Sequence, residues 1–406
     1  MFAWSEELLM IRTAVRDFVD KEIRPHREAL EYGDLPPYDL LRKLYRTFGM
    51  DEMARTSFER RLAAAEDGAS KADDGERSGG GGGGMTLLPI IELCKCSPGM
   101  VTAMGVSVGL TSAAIMAKGT PAQQWRWALD LLTLDKVGAW AITEPGSGSD
   151  AFGSMQSVAR IDGDEFVLSG SKTFITNGPY ADTIVFICKL DEGNPPEERR
   201  VVQFVLDSGM PGLEQSKPLR KMGLHSSPTG MLFLDAVRVG SDRLLGESLD
   251  AYGGSAGREA SKATFVIERS GVAAMALGII ERCLELCIPY AKERVQFGQP
   301  IGNYQLIQLK LAKMEVARLN VENLVFRYVE QAQAGKSMSL TEASAMKLYS
   351  AQTATEVALE AVQLFGGNGY MAEYEVEQLA RDAKVLQIYA GTDEIQIGQI
   401  ARSLLA

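Results

Sequence analysis

The chain has 406 residues, of which 46% are hydrophobic and 23% are charged, a composition typical of a soluble globular protein with two or three packed domains. Its 42 Lys and Arg residues against 53 Asp and Glu residues give a formal charge of −11, which argues against general nucleic-acid binding. No apolar run reaches the roughly 18 residues of a membrane span and no secretion signal opens the chain, so we expect a cytoplasmic protein that binds no membrane.

The first third of the chain has helical periodicity over residues 5–50 and 86–133. The first stretch repeats apolar residues at intervals of three and four, which predicts one buried stripe. These residues are Leu8, Ile11, Val15 and Phe18. Residues 65–84 are rich in Ala, Asp and Gly and cannot bury enough apolar surface to offset their ordering entropy. We predict an N-terminal helical domain, residues 1–137, with a flexible Gly-rich loop at 65–84.

Residues 138–247 change to a period of two, which is typical of β-strands. Turn residues at Asp162–Asp164 and at Ser169–Gly170 predict two hairpins. Further strand-like runs are Thr183–Leu190, Arg200–Leu206 and Met231–Val239. Several short strands at this spacing predict a central domain that is a small antiparallel β-barrel or sandwich.

Residues 248–406 return to the helical period. Long amphipathic stretches over 258–291, 304–334 and 340–364, joined by short links, predict an antiparallel helical bundle. The expected fold class is therefore α+β and mostly α, with a helical, a β and a second helical domain in that order.

The five cysteines predict neither a disulfide framework nor a metal site. Their number is odd and the chain is long, which favours free thiols. Cys94 and Cys96 form a C-x-C pair, but no second pair or nearby His completes a zinc site. We therefore expect no metal.

The loop Thr143–Asp150, with the sequence TEPGSGSD, is the most informative motif. Gly146, Gly148 and Ala151 match the loose dinucleotide pattern G-x-G-x-x-G/A. That pattern requires a helix immediately afterwards, whereas hairpin residues follow here, so we reject a nicotinamide-binding βαβ unit.

Four more motifs follow the loop. Gly170–Gly178 (GSKTFITNG) ends a strand in hydroxyl and amide groups, and Arg294–Gly298 (RVQFG) offers a guanidinium that suits phosphate. Gln363–Tyr370 (QLFGGNGY) ends a helix in glycines that let a ligand approach the backbone. Ile388–Gln396 (IYAGTDEIQ) enters a helix whose first N–H groups are free.

The order and spacing of these motifs resemble the acyl-CoA dehydrogenase family from about residue 4 to the end of the chain. The resemblance implies a helical–β–helical fold and an FAD cofactor near the subunit interface of a homotetramer. It implies α,β-dehydrogenation of an acyl-CoA to the trans-2-enoyl-CoA, with an electron-transferring flavoprotein as the expected acceptor.

The resemblance also implies the FAD contacts. Phe174 matches the residue that stacks on the isoalloxazine ring, and Thr176 matches the one that hydrogen-bonds its N5 edge, where polar contacts stabilise charge on the reduced ring. Other positions that line the flavin and the thioester are Trp140, Ile142, Thr143, Gly148 and Ser149. Arg294, Gln296 and Phe297 match contacts to the pyrophosphate and adenine, Gln363 and Gly367 match contacts to an FAD held mainly by the neighbouring subunit, and Thr392 and Glu394 complete the set. Gln is common in the family at the position of Glu394.

The reaction needs a carboxylate within hydrogen-bond reach of the α-proton. Many family members place a Glu directly before Gly-Thr in the last motif, where this chain has Ala390. The isovaleryl-type and long-chain-type enzymes carry the base on an earlier helix directly before an Arg, which matches Glu268 and Arg269. A Glu-Arg pair on a helix is by itself more often a solvated face, but with the resemblance we predict Glu268 as the base.

The thioester oxygen is implied to accept hydrogen bonds from the backbone N–H of Ala390 and a ribityl hydroxyl of FAD. Ser149 and Arg269 are expected near the substrate. The helix around Met104 resembles the one that borders the acyl pocket, although its small residues fit ordinary helix packing equally well. The length and branching of the acyl chain stay open.

Two alternative functions share this fold. An acyl-CoA oxidase or flavin monooxygenase would pass the electrons to oxygen, and air would reoxidise the reduced protein. A catalytically silent paralogue, as the methyl group of Ala390 could indicate, would show no flavin bleaching with any acyl-CoA.

Overall fold

The computed structural model describes residues 4–66, 82–252 and 256–405. Of the Gly-rich loop predicted at 65–84, residues 67–81 lie outside the described residues. Residues 65 and 66 end one helix, and residues 82–84 begin the next.

Within the described residues, nine α-helices precede the sheet, some joined by short π- or 3₁₀-helical turns. They are α1 (Glu6–Phe18), α2 (Arg27–Glu31), α3 (Tyr38–Thr47), α4 (Met50–Glu66), α5 (Gly82–Cys94), α6 (Pro98–Met104), α7 (Ser112–Lys118), α8 (Pro121–Gln123) and α9 (Leu129–Leu132). The hydroxyl of Ser5 caps α1 by accepting the N–H of Leu8 at 3.3 Å. Leu8, Val15 and Phe18 are buried and Ile11 is half-buried, so the apolar stripe predicted for this helix is confirmed.

One helical stretch, Pro98–Lys118, is long and apolar enough to cross a membrane, with a mean hydropathy of 1.7. The expectation that no segment reaches this length is therefore wrong. The carbonyl of Ala103 and the hydroxyl of Ser107 accept hydrogen bonds from Asn177 and from the backbone of Gly138. These hydrogen bonds hold the stretch against the sheet, and 44% of its most apolar window is buried in the structure.

The described residues form a central sheet of seven strands. They are β1 (Gly138–Ala141), β2 (Val158–Asp162), β3 (Glu165–Thr176), β4 (Thr183–Asp191), β5 (Val201–Asp207), β6 (Leu213–Gln215) and β7 (Thr229–Gly240). Their order is β1-β4-β2-β3-β7-β6, and β5 pairs with β4 outside this path.

The sheet is mixed, which corrects the expectation of an antiparallel one. β1 and β2 both pair in parallel with β4, with Gly138 opposite Thr183 and Val158 opposite Lys189. All other pairings in this sheet are antiparallel. Alternation of apolar residues marks a strand but carries no information about the direction of its neighbour, so the sequence could not distinguish the two arrangements.

The hairpin predicted at Ser169–Gly170 is wrong, because these residues lie inside the single long strand β3. The register between β3 and β7 shifts between Leu168 and Gly170, which is a β-bulge. A Cβ added to Gly170 would lie 2.3 Å from the hydroxyl of Ser157, so glycine is required by the close approach of the residue that precedes β2.

Over residues 256–405, five α-helices and a two-stranded hairpin form the C-terminal part. They are α10 (Ala256–Glu293), β8 (Val295–Gln296), β9 (Gln299–Pro300), α11 (Gln305–Gln333), α12 (Leu340–Phe365), α13 (Val376–Val385) and α14 (Asp393–Leu405). Ser339 and Glu342 form a capping box that starts α12. The mostly α fold class with a central sheet and a helical C-terminal part is confirmed.

The largest apolar core is shared by helices from both ends of the chain. Leu88 and Ile91 of α5 pack with Ile280 of α10, Val321 of α11 and Ala354 of α12 in one buried cluster. A second cluster fills the sheet, and all five cysteines are buried free thiols. The first and last helical segments therefore bury one surface together.

Candidate active site

The loop Thr143–Asp150 is fastened to the third strand of the sheet. Glu144 and Ser147 exchange backbone hydrogen bonds of 3.1 and 3.0 Å, which close the loop into a tight turn. The backbone N–H of Thr173 donates to the carbonyl of Thr143 at 2.9 Å. The first two motifs thus form one unit.

A buried ion pair inside this unit was missed at the level of the sequence. Lys172 is fully buried, and its ammonium group donates to Glu144 at 2.8 Å and to the carbonyl of Ile142 at 3.0 Å. The backbone N–H groups of Gln156 and Ser157 also donate to the Glu144 carboxylate, at 2.6 and 2.9 Å. Each motif contains a charged residue for which the sequence shows no partner, Glu144 in the first and Lys172 in the second. Nothing in the spacing of the two motifs predicts that these residues pair.

The electrostatics of Glu144 favour its charged form. Burial alone would raise the pKa of this carboxyl, but the hydrogen bonds from Lys172 and from the Ser157 and Gln156 segment outweigh burial and lower the pKa. The carboxylate therefore holds the loop as a fixed anion.

An exposed aromatic side chain stands beside the loop. Phe174 is 69% exposed and has a φ of 56°, which is unusual for a non-glycine residue. The register of β3 against β7 shifts between Lys172 and Ile175, so the bulge turns Phe174 outward while Ile175 stays in the core. Strain of this kind persists where the surrounding structure fixes it.

The residues around Phe174 fit a planar aromatic ring with a polar edge. Trp140, Ile142, Thr143 and Thr176 are half-buried, and Gly148 and Ser149 are exposed. A Cβ added at Gly146 or Gly148 would meet no atom within 4 Å, so the loop leaves open space above these glycines. Aromatic faces and hydroxyl donors around such a space suit an isoalloxazine ring.

Asn177 joins this surface to the helix that contains Met104. Its side-chain amide donates to the carbonyls of Ala103 and Gly138 at 2.9 and 2.8 Å, and its amide oxygen accepts from Tyr38 at 3.0 Å. The buried Asn177 therefore connects the end of β3, which contains Thr176, to β1 and to α6. Met104 itself is buried in the main core cluster, to which Ala390 also packs.

A second group of predicted FAD contacts lies on the C-terminal part. Phe297 is 95% exposed, with φ values of 51° at Phe297 and 82° at Gly298 in the turn between β8 and β9. Arg294 and Gln296 are exposed beside it.

Tyr290, near the end of α10 and just before this hairpin, contacts the segment that contains the exposed Gln363 and Gly367. Its ring stacks on Phe365 with 3.9 Å between centroids, and its hydroxyl accepts from Asn368 at 3.0 Å. Within the described part of the chain, no hydrogen bond or ion pair joins this second group to the surface around Phe174.

Glu268 and Arg269 lie on α10, next to α12. Glu268 is half-buried, and burial raises its pKa to about 7, although the charges of Arg269 and Lys347 act to lower it. Arg269 is buried and donates to the hydroxyl of Ser344 at 2.8 Å. Its Nε has no partner among the residues that the structure describes.

Ala390 occupies a turn held by a buried glutamine that the sequence did not single out. Ala390 has a φ of 54°, and Gly391 follows with a φ of 87°. The side-chain amide of Gln396 is fully buried and donates to the carbonyls of Ala390 and Gly391 at 3.0 and 2.9 Å. The backbone N–H of Ala390 donates to no atom of the described chain.

Thr392 and Glu394 begin the last helix. The hydroxyl of Thr392 accepts the N–H of Ile395 at 3.4 Å, which caps α14. Glu394 is exposed, and a hydrogen bond from its own backbone N–H, with a second from Thr392, lowers its pKa. The predicted residues thus form three surfaces, around Phe174, around Phe297 and around Glu268.

Two family models match the chain. They are the acyl-CoA dehydrogenase middle domain, over residues 139–237, and the acyl-CoA dehydrogenase C-terminal domain, over residues 255–405. An acyl-CoA dehydrogenase of Bacillus subtilis (strain 168) is 35% identical over 403 residues, which cover 99% of this chain and 98% of that protein.

Solved structures are similar over the same length. Butyryl-CoA dehydrogenase from Megasphaera elsdenii has a TM-score of 0.82 at 32% identity, with 100% of each chain covered. A glutaryl-CoA dehydrogenase from Mycobacterium smegmatis in complex with FADH2 has a TM-score of 0.79 at 26% identity, with 99% of this chain and 95% of that chain covered.

Proposed function

The chain belongs to the acyl-CoA dehydrogenase family, and on that premise we propose that Glu268 is the base that removes the α-proton of its acyl-CoA substrate. Members of the family use flavin to dehydrogenate acyl-CoA, so the protein is an FAD-dependent oxidoreductase. The observation that carries the proposal is a half-buried carboxyl with its pKa raised to about 7, in the same packed region as the turn of Ala390.

The raised pKa makes Glu268 an effective base. A carboxylate in water is too weakly basic for an α-proton, whereas a partly desolvated one is more basic and is still ionised in part near neutral pH. The α-proton passes to an oxygen of Glu268, the electron pair of that C–H bond forms the α,β double bond, and the β-hydride leaves. FAD, when bound, supplies the acceptor for that hydride.

Ala390 acts through its backbone. The N–H of this residue is free of protein partners and lies in a turn that Gln396 fixes from behind. It donates to the thioester oxygen, and this bond strengthens as enolate charge develops. A methyl side chain serves this purpose as well as any other.

The surface around Phe174 holds the flavin ring, with Thr176 at its reacting edge and the hydroxyls of Thr143 and Ser149 nearby. The surface around Phe297 contacts the FAD of a neighbouring subunit, which makes the protein a homo-oligomer, in the family's usual form a tetramer. The electrons leave through an electron-transferring flavoprotein, and the protein works in the cytoplasm.

The first experiment replaces the base. Glu268→Gln should lower turnover of acyl-CoA by about 10³-fold or more while FAD stays bound, because the amide cannot accept the proton. The measurement is anaerobic flavin bleaching with a panel of straight and branched acyl-CoAs, which also identifies the preferred acyl chain. Glu285→Gln on the same helix is the matched control and should bleach as the wild type does.

Two outcomes would contradict the proposal. Normal bleaching in the Glu268→Gln variant would remove Glu268 from the mechanism. A wild-type protein that binds FAD but bleaches with no acyl-CoA would indicate a silent paralogue, and rapid reoxidation of the bleached protein by air would indicate an oxidase.

A further inference from the structure

Lys347 on α12 is fully buried, which is rare for a lysine. Removing an ammonium group from water is costly unless polar partners replace the water. Here the partners are the carbonyl of Gly391 at 2.9 Å and the carboxylate of Asp393 at 3.5 Å. Gly391 lies in the turn of Ala390, and Asp393 begins α14 directly after that turn. Both hydrogen bonds of the lysine therefore hold the segment that presents the Ala390 N–H.

The turn needs such support, because two consecutive residues have left-handed φ values. The φ of 54° at Ala390 is strained for a residue with a Cβ. Lys347 and Gln396 both donate to the carbonyl of Gly391, at 2.9 Å each, and thereby fix the peptide that follows Ala390. Gln352 donates to Asp393 at 3.1 Å and holds the lysine's anionic partner.

Lys347 also faces the predicted base. Ser344, one turn earlier on α12, accepts a hydrogen bond from Arg269, so this face of α12 lies against the Glu268–Arg269 segment. The charged and titratable groups around Glu268 are Arg269 on α10, Lys347 on α12, and Tyr389 in the turn. Asp393 is the only anion among the described residues that is ion-paired with Lys347.

We infer that Lys347 is a positioning residue for the dehydrogenation, which aims the N–H of Ala390 at the thioester oxygen and supports the anionic form of Glu268. The inference rests on the proposed function and deepens it. Burial lowers the pKa of the Lys347 ammonium group, while the Asp393 carboxylate acts to raise it and supports the cation. Its action on the substrate passes through the turn and through Glu268.

The pH profile distinguishes this role from a merely structural one. Glu268 must be anionic to act, so kcat/KM falls as the pH drops through the pKa of Glu268. The Lys347 cation lowers that pKa. Lys347→Met removes the cation and should move the acidic limb to higher pH by about 1 unit, the size of a nearby charge effect. Asp393→Asn removes an anion from the same cluster and should not move the limb to higher pH.

The experiment uses the FAD-loaded full chain. In Lys347→Met, kcat should fall by about 100-fold, the cost of a displaced catalytic group, while KM changes by less than about threefold. Amide hydrogen exchange of the 386–396 segment should become faster, and exchange of β4 should not change. Glu268→Gln serves as the reference for complete loss of the base, and the wild type must oxidise an acyl-CoA for the comparison to be made.

Several results would overturn the inference. One is an acidic limb of kcat/KM that moves to higher pH in both Lys347→Met and Asp393→Asn, because a general disturbance of the turn would affect both variants in the same way. Another is a Lys347→Met enzyme with wild-type kcat and pH profile. If Lys347→Met does not fold, Asp393→Asn is measured by itself. A shift of its acidic limb to higher pH would contradict the inferred action of these charges on Glu268. In every case an active wild type with an inactive Glu268→Gln variant keeps the proposed function intact.

Discussion

At the scale of single residues, two effects of opposite sign act on the pKa of the Glu268 carboxyl. Burial raises the pKa of its carboxyl, while Arg269 and Lys347 lower it, and the balance lies at about 7. A group with a raised pKa in the folded protein holds its proton more tightly there than in the unfolded chain. The fold is therefore destabilised as the pH rises from about 4.5 to about 7.

The raised pKa also predicts a change in the free energy of unfolding, which can be measured without an activity assay. Glu268→Gln replaces the carboxyl by a neutral group of the same shape, so it should stabilise the FAD-loaded protein at pH 8 by about 1–2 kcal/mol, allowing for partial exposure. At pH 4.5 the difference should nearly vanish. Denaturant unfolding at the two pH values measures it, and equal effects at both would contradict the raised pKa.

The sequence identified Glu268 only through its resemblance to a family pattern. Its position before Arg269 was readable, but its burial depends on α12, whose contact with α10 involves residues about 75 positions away, as Arg269 and Ser344 illustrate. The same holds for Lys347 and Gln396, whose roles appear only when the turn of Ala390 is folded against them. Local spacing carries no signal for such pairs.

At the scale of elements, the long C-terminal helices were predicted to within a few residues. The stretch 304–334 corresponds to α11, Gln305–Gln333, and 340–364 corresponds to α12, Leu340–Phe365. Helical periodicity and the cap at Ser339 are local properties, so the sequence carries them directly. The parallel pairings of β1 and β2 with β4 depend on the tertiary path and were not predicted.

The buried pair of Glu144 and Lys172 holds the loop Thr143–Asp150 against β3. Glu144→Gln should destabilise the protein by about 3 kcal/mol, because it leaves a buried ammonium group without its counter-charge. It should also weaken FAD retention, since the loop carries the surface around Phe174. Glu165→Gln, at the exposed start of the same strand, is the control, because its pair with Arg238 is solvent-screened.

Thermal unfolding and flavin content after gel filtration measure these effects. Equal stability in the two variants would show that the buried pair contributes no more than an exposed one.

At the scale of the whole molecule, one apolar core joins the first and last helical segments, with the sheet between them in sequence. The composition changes near residues 138 and 248 predicted where the chain switches from helix to strand and back. The sequence did not predict that the two helical segments share one core, because the apolar stripe of a helix does not specify which other stripe it packs against. The three-domain division stays a prediction.

The separation of the surface around Phe174 from the surface around Phe297 gives a prediction about assembly. A variant in the ring surface, Thr176→Val, and a variant in the hairpin surface, Arg294→Ala, should each be impaired alone. Co-expressed in one cell, they should form hybrid oligomers in which some sites combine two unaltered surfaces, so activity should return in part. Activity no higher than the mean of the single variants would place both surfaces on the same site within one chain.

Position 390 contributes a main-chain hydrogen while its methyl group takes no part in the proposed chemistry. On the proposed mechanism the choice of side chain at this position is limited by the left-handed backbone, with a φ of 54°, and not by proton transfer. A change of side chain at position 390 should therefore alter which acyl groups fit, while the proposed base Glu268 on α10 stays in place.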